Sequence, residues 1–126
     1  MVNYFRKKNG DVIAVYDVGD KEKVKMYGVV VLNKEDKIID FLEKPEDPPS
    51  TFAATACYLF KSETVKLLND YINEGNNPDA MGYFVSWLYP KRDIFGFRFK
   101  GKWFDIGSFE SLNEADCYFK KKALDT

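Results

Sequence analysis

Three short segments of the sequence carry residues that could bind a ligand. The first is Glu43-Lys44-Pro45, which ends a run of alternating apolar residues. A lysine ammonium is a compact cation that suits a phosphate, and a glutamate carboxylate can accept hydrogen bonds from sugar hydroxyls. Charged residues at a strand end are also commonly just solvated, so this segment alone leaves both interpretations open.

The second and third segments add a carboxylate and a glycine. Asp105 follows Trp103-Phe104 and precedes a glycine and a helix start. It could hold Mg²⁺, which usually takes one or two protein carboxylates together with phosphate, or it could interact only with the helix dipole. Tyr27-Gly28 places a glycine in an apolar run, which marks either a β-bulge or a close approach of the backbone.

The alternating run before Pro45 predicts the strand that positions the first segment. Residues 37–45 combine β-branched and aromatic side chains with a period of two, which is the pattern of a strand. Its two faces are expected to carry Ile39, Phe41 and Glu43, and Ile38, Asp40 and Leu42, respectively. Pro45 lacks an N–H and must end the strand, and it biases Lys44 toward an extended backbone.

The remaining segments predict an α/β arrangement. Residues 11–17 are almost continuously apolar, which indicates a strand buried on both faces of a sheet that helices cover. Residues 17–26 are predicted as a charged loop, and the strand at 27–32 forms a hairpin with that at 37–45. Further strands are predicted at 53–60, 93–99 and 103–107, and helices at 2–9, 62–73, 81–88 and after Ser108. The class is therefore α/β, a mixed sheet with flanking helices.

Helical periodicity predicts which side chains face the core. We expect Ser62 to cap the first long helix and Ser108 to cap the last. The expected inner faces carry Val65, Leu68, Tyr71 and Ile72 in the first, Phe84, Val85 and Leu88 in the second, and Leu112, Ala115, Tyr118 and Phe119 in the last. The small residues at 53–56 indicate either a tightly packed core strand or the approach of a ligand.

Composition excludes several classes of function. The 126 residues suffice for one domain, and 45% hydrophobic and 17% aromatic content argues against disorder. A net charge of −1 argues against nucleic-acid binding. The absence of histidine, with only two cysteines, excludes a zinc site and imidazole chemistry. No apolar run has the length of a membrane span and the N-terminus is polar, so we expect a cytoplasmic protein.

Taken in order, these segments resemble the sugar-1-phosphate nucleotidylyltransferases, such as those that act on glucose 1-phosphate and a thymidine nucleotide. The similarity runs from Tyr27-Gly28 through Glu43-Lys44-Pro45 and residues 54–60 to Trp103-Phe104-Asp105-Ile106-Gly107. It extends over residues 11–116 and is carried by the order and spacing of the motifs. The resemblance implies a Rossmann-like nucleotidyltransferase fold, of which this chain would be the C-terminal half.

The resemblance also implies roles for individual residues. Tyr27 and Gly28 would line the sugar, Glu43 would bind its hydroxyls, and Lys44 would bind its phosphate as the catalytic residue. Asp105 would be one of two Mg²⁺ ligands. The substrates implied are a sugar 1-phosphate and a nucleoside triphosphate, joined by in-line attack on the α-phosphorus with release of pyrophosphate.

Two departures from the family pattern change what we expect of this chain. The strand that usually reads Asn-Ala-Gly has Ala54-Thr55-Ala56, which puts its sugar contacts in doubt. The 126 residues contain no glycine-rich phosphate loop. The helix end at residues 2–9 can accordingly be interpreted as truncation of a larger protein or as a short natural helix.

We expect a single partial domain that is inactive alone and forms a homo-oligomer. The alternative is a non-catalytic module that binds a sugar phosphate or a partner.

Overall fold

The most buried strand, β1 (Asp11–Asp17), forms the centre of the structure. In the computed structural model, which describes residues 1–126, its first five residues are buried. β1 pairs antiparallel with β4 (Phe52–Leu59) and parallel with β5 (Ile94–Arg98). The prediction of a strand buried on both faces is therefore confirmed.

Two further strands complete a mixed five-stranded sheet. β2 (Gly28–Leu32) and β3 (Ile38–Glu43) form the predicted hairpin. β2 also pairs with β4, so the strand order is β3-β2-β4-β1-β5. Only β1 and β5 are parallel.

Helices flank this sheet, which confirms the α/β class. They are α1 (Val2–Lys7), α2 (Lys21–Val24), α3 (Ser62–Asn73), α4 (Met81–Leu88) and α5 (Phe109–Leu124). The main core joins side chains of the sheet to those of α3 and α4, namely Ile13, Val15, Val30, Ile38, Phe41, Tyr71, Phe84, Val85, Leu88 and Ile94. The expected inner face of α4 is therefore confirmed. None of the helices combines the length and apolar character that a membrane crossing requires.

The predicted faces of β3 are wrong because the β2–β3 ladder contains an irregularity. Val31 pairs with Asp40, but Leu32 pairs with Ile38, so Ile39 is an extra residue on β3. An extra residue in one strand interrupts the regular alternation of its side chains between the two faces of the sheet. Ile38 and Phe41 are consequently both buried, whereas Ile39 is 53% exposed.

The predicted cap and inner face of α3 also need correction. The helix begins at Ser62, its N-cap is Lys61, and no side chain of that residue caps it. The cap comes instead from Asp11 of β1, whose carboxylate accepts hydrogen bonds from the Lys61 N–H and the Thr64 hydroxyl, both at 2.7 Å. Thr64 and Tyr71 are buried, whereas two of the residues expected inside, Val65 and Ile72, are half-exposed.

Three other local predictions differ from the structure. The charged loop contains the short helix α2, which Asp20 caps by accepting from two backbone N–H groups. Residues 103–107 form no strand. Ser108 does cap α5, within a capping box, but the expected inner face is buried only at Ala115, and Leu112 and Phe119 are about half exposed.

The turn between β2 and β3 lies against the outer edge of β5. The backbone carbonyl of Asp36 accepts from the Gly96 N–H at 2.7 Å, and its carboxylate pairs with Arg98 at 2.7 Å. Lys37 pairs with Asp93 at 2.6 Å. Because these ion pairs are partly exposed, each contributes little stability by itself. The hairpin is nevertheless held to the rest of the sheet at two places, by these contacts of its turn with β5 and by the pairing of Val29 with Ala53 of β4.

We expect Asp11→Ala to lower the free energy of unfolding by about 2 kcal/mol or more, because it leaves buried donors without an acceptor. Asp11 is fully buried. Chemical denaturation would measure the change. Asp70→Ala, at an exposed position of α3 whose carboxylate makes no hydrogen bond, is the matched control. Equal stability of the two variants would contradict this role of Asp11.

Candidate functional site

A single pocket of about 320 Å³ brings the sequence-predicted site residues together. Its lining includes Tyr27, Gly28, Glu43, Lys44 and Asp105. These residues come from three separate segments of the chain. Their convergence is an observation about position, and their roles remain predictions.

Four of these residues lie at the open end of the β2–β3 hairpin, where β2 begins and β3 ends. In its register Gly28 lies opposite Glu43. One residue further on, the Lys44 N–H donates to the carbonyl of Tyr27 at 3.1 Å. Backbone pairing thus fixes Tyr27-Gly28 beside Glu43-Lys44 at one end of the hairpin.

Lys44 does not have the extended backbone that the following proline predicts. Its φ is +46°, in the left-handed region. A residue other than glycine costs roughly 1–2 kcal/mol in this conformation, and such conformations cluster at functional sites. The side chain is exposed and forms no ion pair within the chain. Its ammonium is therefore available to an anion.

Glu43 is half-buried on the pocket wall and is also without a partner. Its carboxylate makes no ion pair, and no side-chain hydrogen bond within the chain involves it. The carboxylate can accept hydrogen bonds from a ligand. Glu43 and Lys44 are adjacent in sequence, yet they do not neutralise each other.

Packing against Phe41 requires glycine at position 28, and the sequence alone did not reveal this reason. A Cβ at this position would lie 2.7 Å from Cζ of Phe41 and 3.2 Å from Oε2 of Glu43. Any side chain at residue 28 would therefore displace the Phe41 ring, which belongs to the main core. This packing is sufficient to require glycine, and contact with a sugar stays a prediction.

The segment after β5 brings Asp105 to the same pocket. The Trp103 ring packs edge-on against Tyr27, with ring centroids 5.0 Å apart. Burial raises the pKa of the Tyr27 phenol, and the negative charge of Asp105 raises that pKa further. The Asp105 carboxylate is thus close enough to influence Tyr27, and it remains exposed to solvent.

Two carboxylates line the pocket, Glu43 and Asp105, and Asp105 is the one that the family resemblance assigns to Mg²⁺. Asp105 is exposed and carries no hydrogen bond or ion pair. The chain contains no group of three or more metal-ligating side chains. Mg²⁺ commonly keeps several waters and binds through one or two carboxylates plus substrate phosphates. Asp105 fits as one such carboxylate, and further ligands would have to come from elsewhere.

Sequence reasoning considered the small residues of β4 as a place where a ligand approaches, but it missed Tyr58 and the start of α4. The pocket wall that β4 and the start of α4 provide includes Tyr58, Ala80, Met81 and Gly82, together with Ala54 and Ala56 from the stretch of small residues. Burial raises the pKa of the Tyr58 phenol, and the charge of Glu43 raises it further. The available signal was a glycine within a predicted helix, which usually has a packing or functional reason.

A larger neighbouring pocket lacks comparable chemistry. It measures about 430 Å³ and shares Ala56 and Trp103 with the first pocket. Its lining contains no charged side chain. Seven of its eight lining residues are hydrophobic.

Comparison with known sequences identifies relatives with a defined activity. The family model for nucleotidyl transferases matches residues 1–122. The glucose-1-phosphate adenylyltransferase of Clostridium acetobutylicum is 33% identical over 92% of this chain and 31% of its own length. That of Clostridium novyi is 34% identical over 99% of this chain and 34% of its own length. The chain thus spans about a third of the length of these curated relatives.

Solved structures show the same fold. A UDP-glucose pyrophosphorylase in complex with UDP-glucose matches with a TM-score of 0.78 at 30% identity, over 96% of this chain and 48% of that one. A Bacillus anthracis protein assigned as a glucose-1-phosphate thymidylyltransferase, in complex with sucrose, gives a TM-score of 0.76 at 23% identity. It aligns with 93% of this chain and 46% of its own, and at that identity the likeness concerns the fold alone. On the strength of the family match and these relatives, the chain belongs to the nucleotidyl transferase family.

Proposed function

We propose that the pocket binds the sugar 1-phosphate substrate of a sugar-1-phosphate nucleotidylyltransferase. The observation that carries the proposal is the pair of unneutralised, adjacent charges, Glu43 and Lys44, on the wall of one pocket with Asp105. A cation and an anion side by side suit a ligand with an anionic end and a hydroxyl-bearing end. Relatives named for glucose 1-phosphate support this choice of substrate class.

In the proposed mechanism the residues act by positioning and by neutralising charge. The Lys44 ammonium binds the phosphate of the sugar and holds one of its oxygens in line with the α-phosphorus of the nucleotide. That oxygen forms the new bond to phosphorus as the bond to pyrophosphate breaks. Glu43 accepts hydrogen bonds from the sugar hydroxyls, while Tyr27 and Gly28 form the wall beside it. Asp105 would hold Mg²⁺, which when bound neutralises phosphate charge.

We further propose that the nucleotide is held by residues outside these 126. The sequence has no glycine-rich phosphate loop. Apart from Glu43, which is assigned to the sugar, the pocket has one carboxylate, that of Asp105, for Mg²⁺. The same two observations favour the second candidate function, a sugar-phosphate-binding module without catalysis.

We also propose that either function is carried out in the reducing cytoplasm, where the exposed Cys57 and Cys117 would remain free thiols.

Lys44→Ala should weaken binding of glucose 1-phosphate by about 10-fold or more, because a hydrogen bond to a charged group contributes roughly 1.5–3 kcal/mol. Isothermal titration calorimetry would measure this affinity. Lys66→Ala is the matched control, since it removes the same charge from an exposed position of α3. Unchanged affinity in a folded Lys44→Ala variant would make Lys44 structural and refute the assignment.

The isolated chain should not convert glucose 1-phosphate and a nucleoside triphosphate into a nucleotide sugar and pyrophosphate. The reason is the absence of a phosphate loop and of a second metal carboxylate. A coupled pyrophosphate assay with Mg²⁺ would test this expectation, using a full-length relative as the positive control. Measurable turnover by the 126 residues alone would show that they suffice for the reaction.

We also propose that the chain self-associates through the apolar side chains that α5 leaves exposed. Phe109 is 88% exposed, Leu124 is 87% exposed, and Leu112 and Phe119 are about half exposed. Apolar surface of this kind tends to be covered by association. Light scattering should give a mass above that of the monomer, and Phe109→Ser with Phe119→Ser should lower it. A monomeric mass at all concentrations would count against the proposal.

A further inference from the structure

The carboxylate of Glu43 occupies space that is open only because residues 28 and 82 are glycines. A Cβ on Gly82 would lie 1.9 Å from Oε2 of Glu43 and 2.8 Å from its Cδ. A Cβ on Gly28 would lie 3.2 Å from the same Oε2. The carboxylate is therefore held between the backbone of β2 and the first turn of α4.

Backbone conformation does not explain the glycine at position 82. Gly82 is the second residue of α4 and is buried, and its φ is not positive. Glycine is a poorer helix former than alanine. Moreover, the three atoms nearest to the missing Cβ all belong to the Glu43 side chain. The reason for glycine at this position is thus the room that the Glu43 carboxylate needs.

We propose that Gly82 is a positioning residue that sets where Glu43 meets the sugar. This inference rests on the proposed function of the pocket. By lacking a side chain, Gly82 lets the Glu43 carboxylate lie against the start of α4, where the helix dipole favours a negative charge. In that position the carboxylate shares the pocket wall with Tyr58 and Lys44. Gly82 therefore governs recognition of the sugar and not of the phosphate.

The position of Tyr58 is consistent with this placement of the carboxylate. The charge of Glu43 contributes to the raised pKa of the Tyr58 phenol, after burial. Tyr58 lies on β4, whereas Gly82 lies on α4. The Glu43 carboxylate is accordingly close to both walls of the pocket.

The test compares glucose 1-phosphate with inorganic phosphate as ligands in calorimetric titrations. Gly82→Ala should weaken glucose 1-phosphate binding by about 3- to 10-fold, because the new methyl group displaces the flexible end of Glu43. Affinity for inorganic phosphate should not change. The midpoint of thermal unfolding should stay equal or rise, since alanine favours the helix. Ser86→Ala, a substitution elsewhere in α4, should leave both affinities unchanged.

A double-mutant cycle separates this role from simple packing. If Gly82 acts through Glu43, adding Gly82→Ala to Glu43→Ala should not change the affinity for glucose 1-phosphate. It should leave the unfolding midpoint equal or higher, because alanine favours the helix in either background. A further loss in the double variant would overturn the inference, as would unchanged binding by Gly82→Ala alone. A lowered unfolding midpoint that Glu43→Ala does not restore would also overturn it. Failure of the unsubstituted chain to bind glucose 1-phosphate would instead refute the proposed function, and the role of Gly82 with it.

Discussion

The antiparallel register of β2 and β3 is the constraint on which the rest of the structure depends. It places Val30 opposite Phe41, in the core, and Gly28 opposite Glu43, at the pocket. A shift of one residue would exchange the two faces of β3, because side chains alternate along a strand. Phe41 would then leave the core and Glu43 would leave the pocket. Folding of the core and assembly of the site are therefore consequences of the same backbone pairing.

The site also combines two opposite charges that the fold keeps apart. Glu43 and Lys44 are neighbours in sequence, yet neither forms an ion pair. The left-handed backbone of Lys44 turns the chain between them, at a cost that its hydrogen bond to Tyr27 helps to offset. Strain maintained at a binding site preorganises it. A ligand that carries complementary groups would meet both charges without first separating them.

Much of the fold could be predicted from local patterns, and the exceptions depend on contacts distant in sequence. Alternation and apolar runs were sufficient for every strand of the sheet. The capping of α3 was not predictable, because its carboxylate comes from Asp11, some fifty residues earlier. The extra residue at Ile39 appears only when β3 is aligned with β2. The segment at 103–107 has a strand-like composition but finds no strand to pair with.

The same distinction applies to the site. The sequence could predict that Tyr27, Gly28, Glu43, Lys44 and Asp105 lie together, because their order along the chain is distinctive, and all five line one pocket. Gly82 and Tyr58 could not be predicted there, since nothing local relates them to Glu43 and only the packing of α4 and β4 against the hairpin brings them there.

The contact of the β2–β3 turn with β5 limits how the sheet can grow. The exposed edge of a sheet is a template for further strands. On β5, the Gly96 N–H already donates to Asp36, and the Gly96 carbonyl accepts from the Tyr4 hydroxyl at 3.2 Å. A strand could join the sheet on this side only after the turn and α1 had detached. Any such addition would release the turn from β5, while the opposite end of the hairpin would keep the backbone pairing that holds Glu43 and Lys44 beside Tyr27 and Gly28.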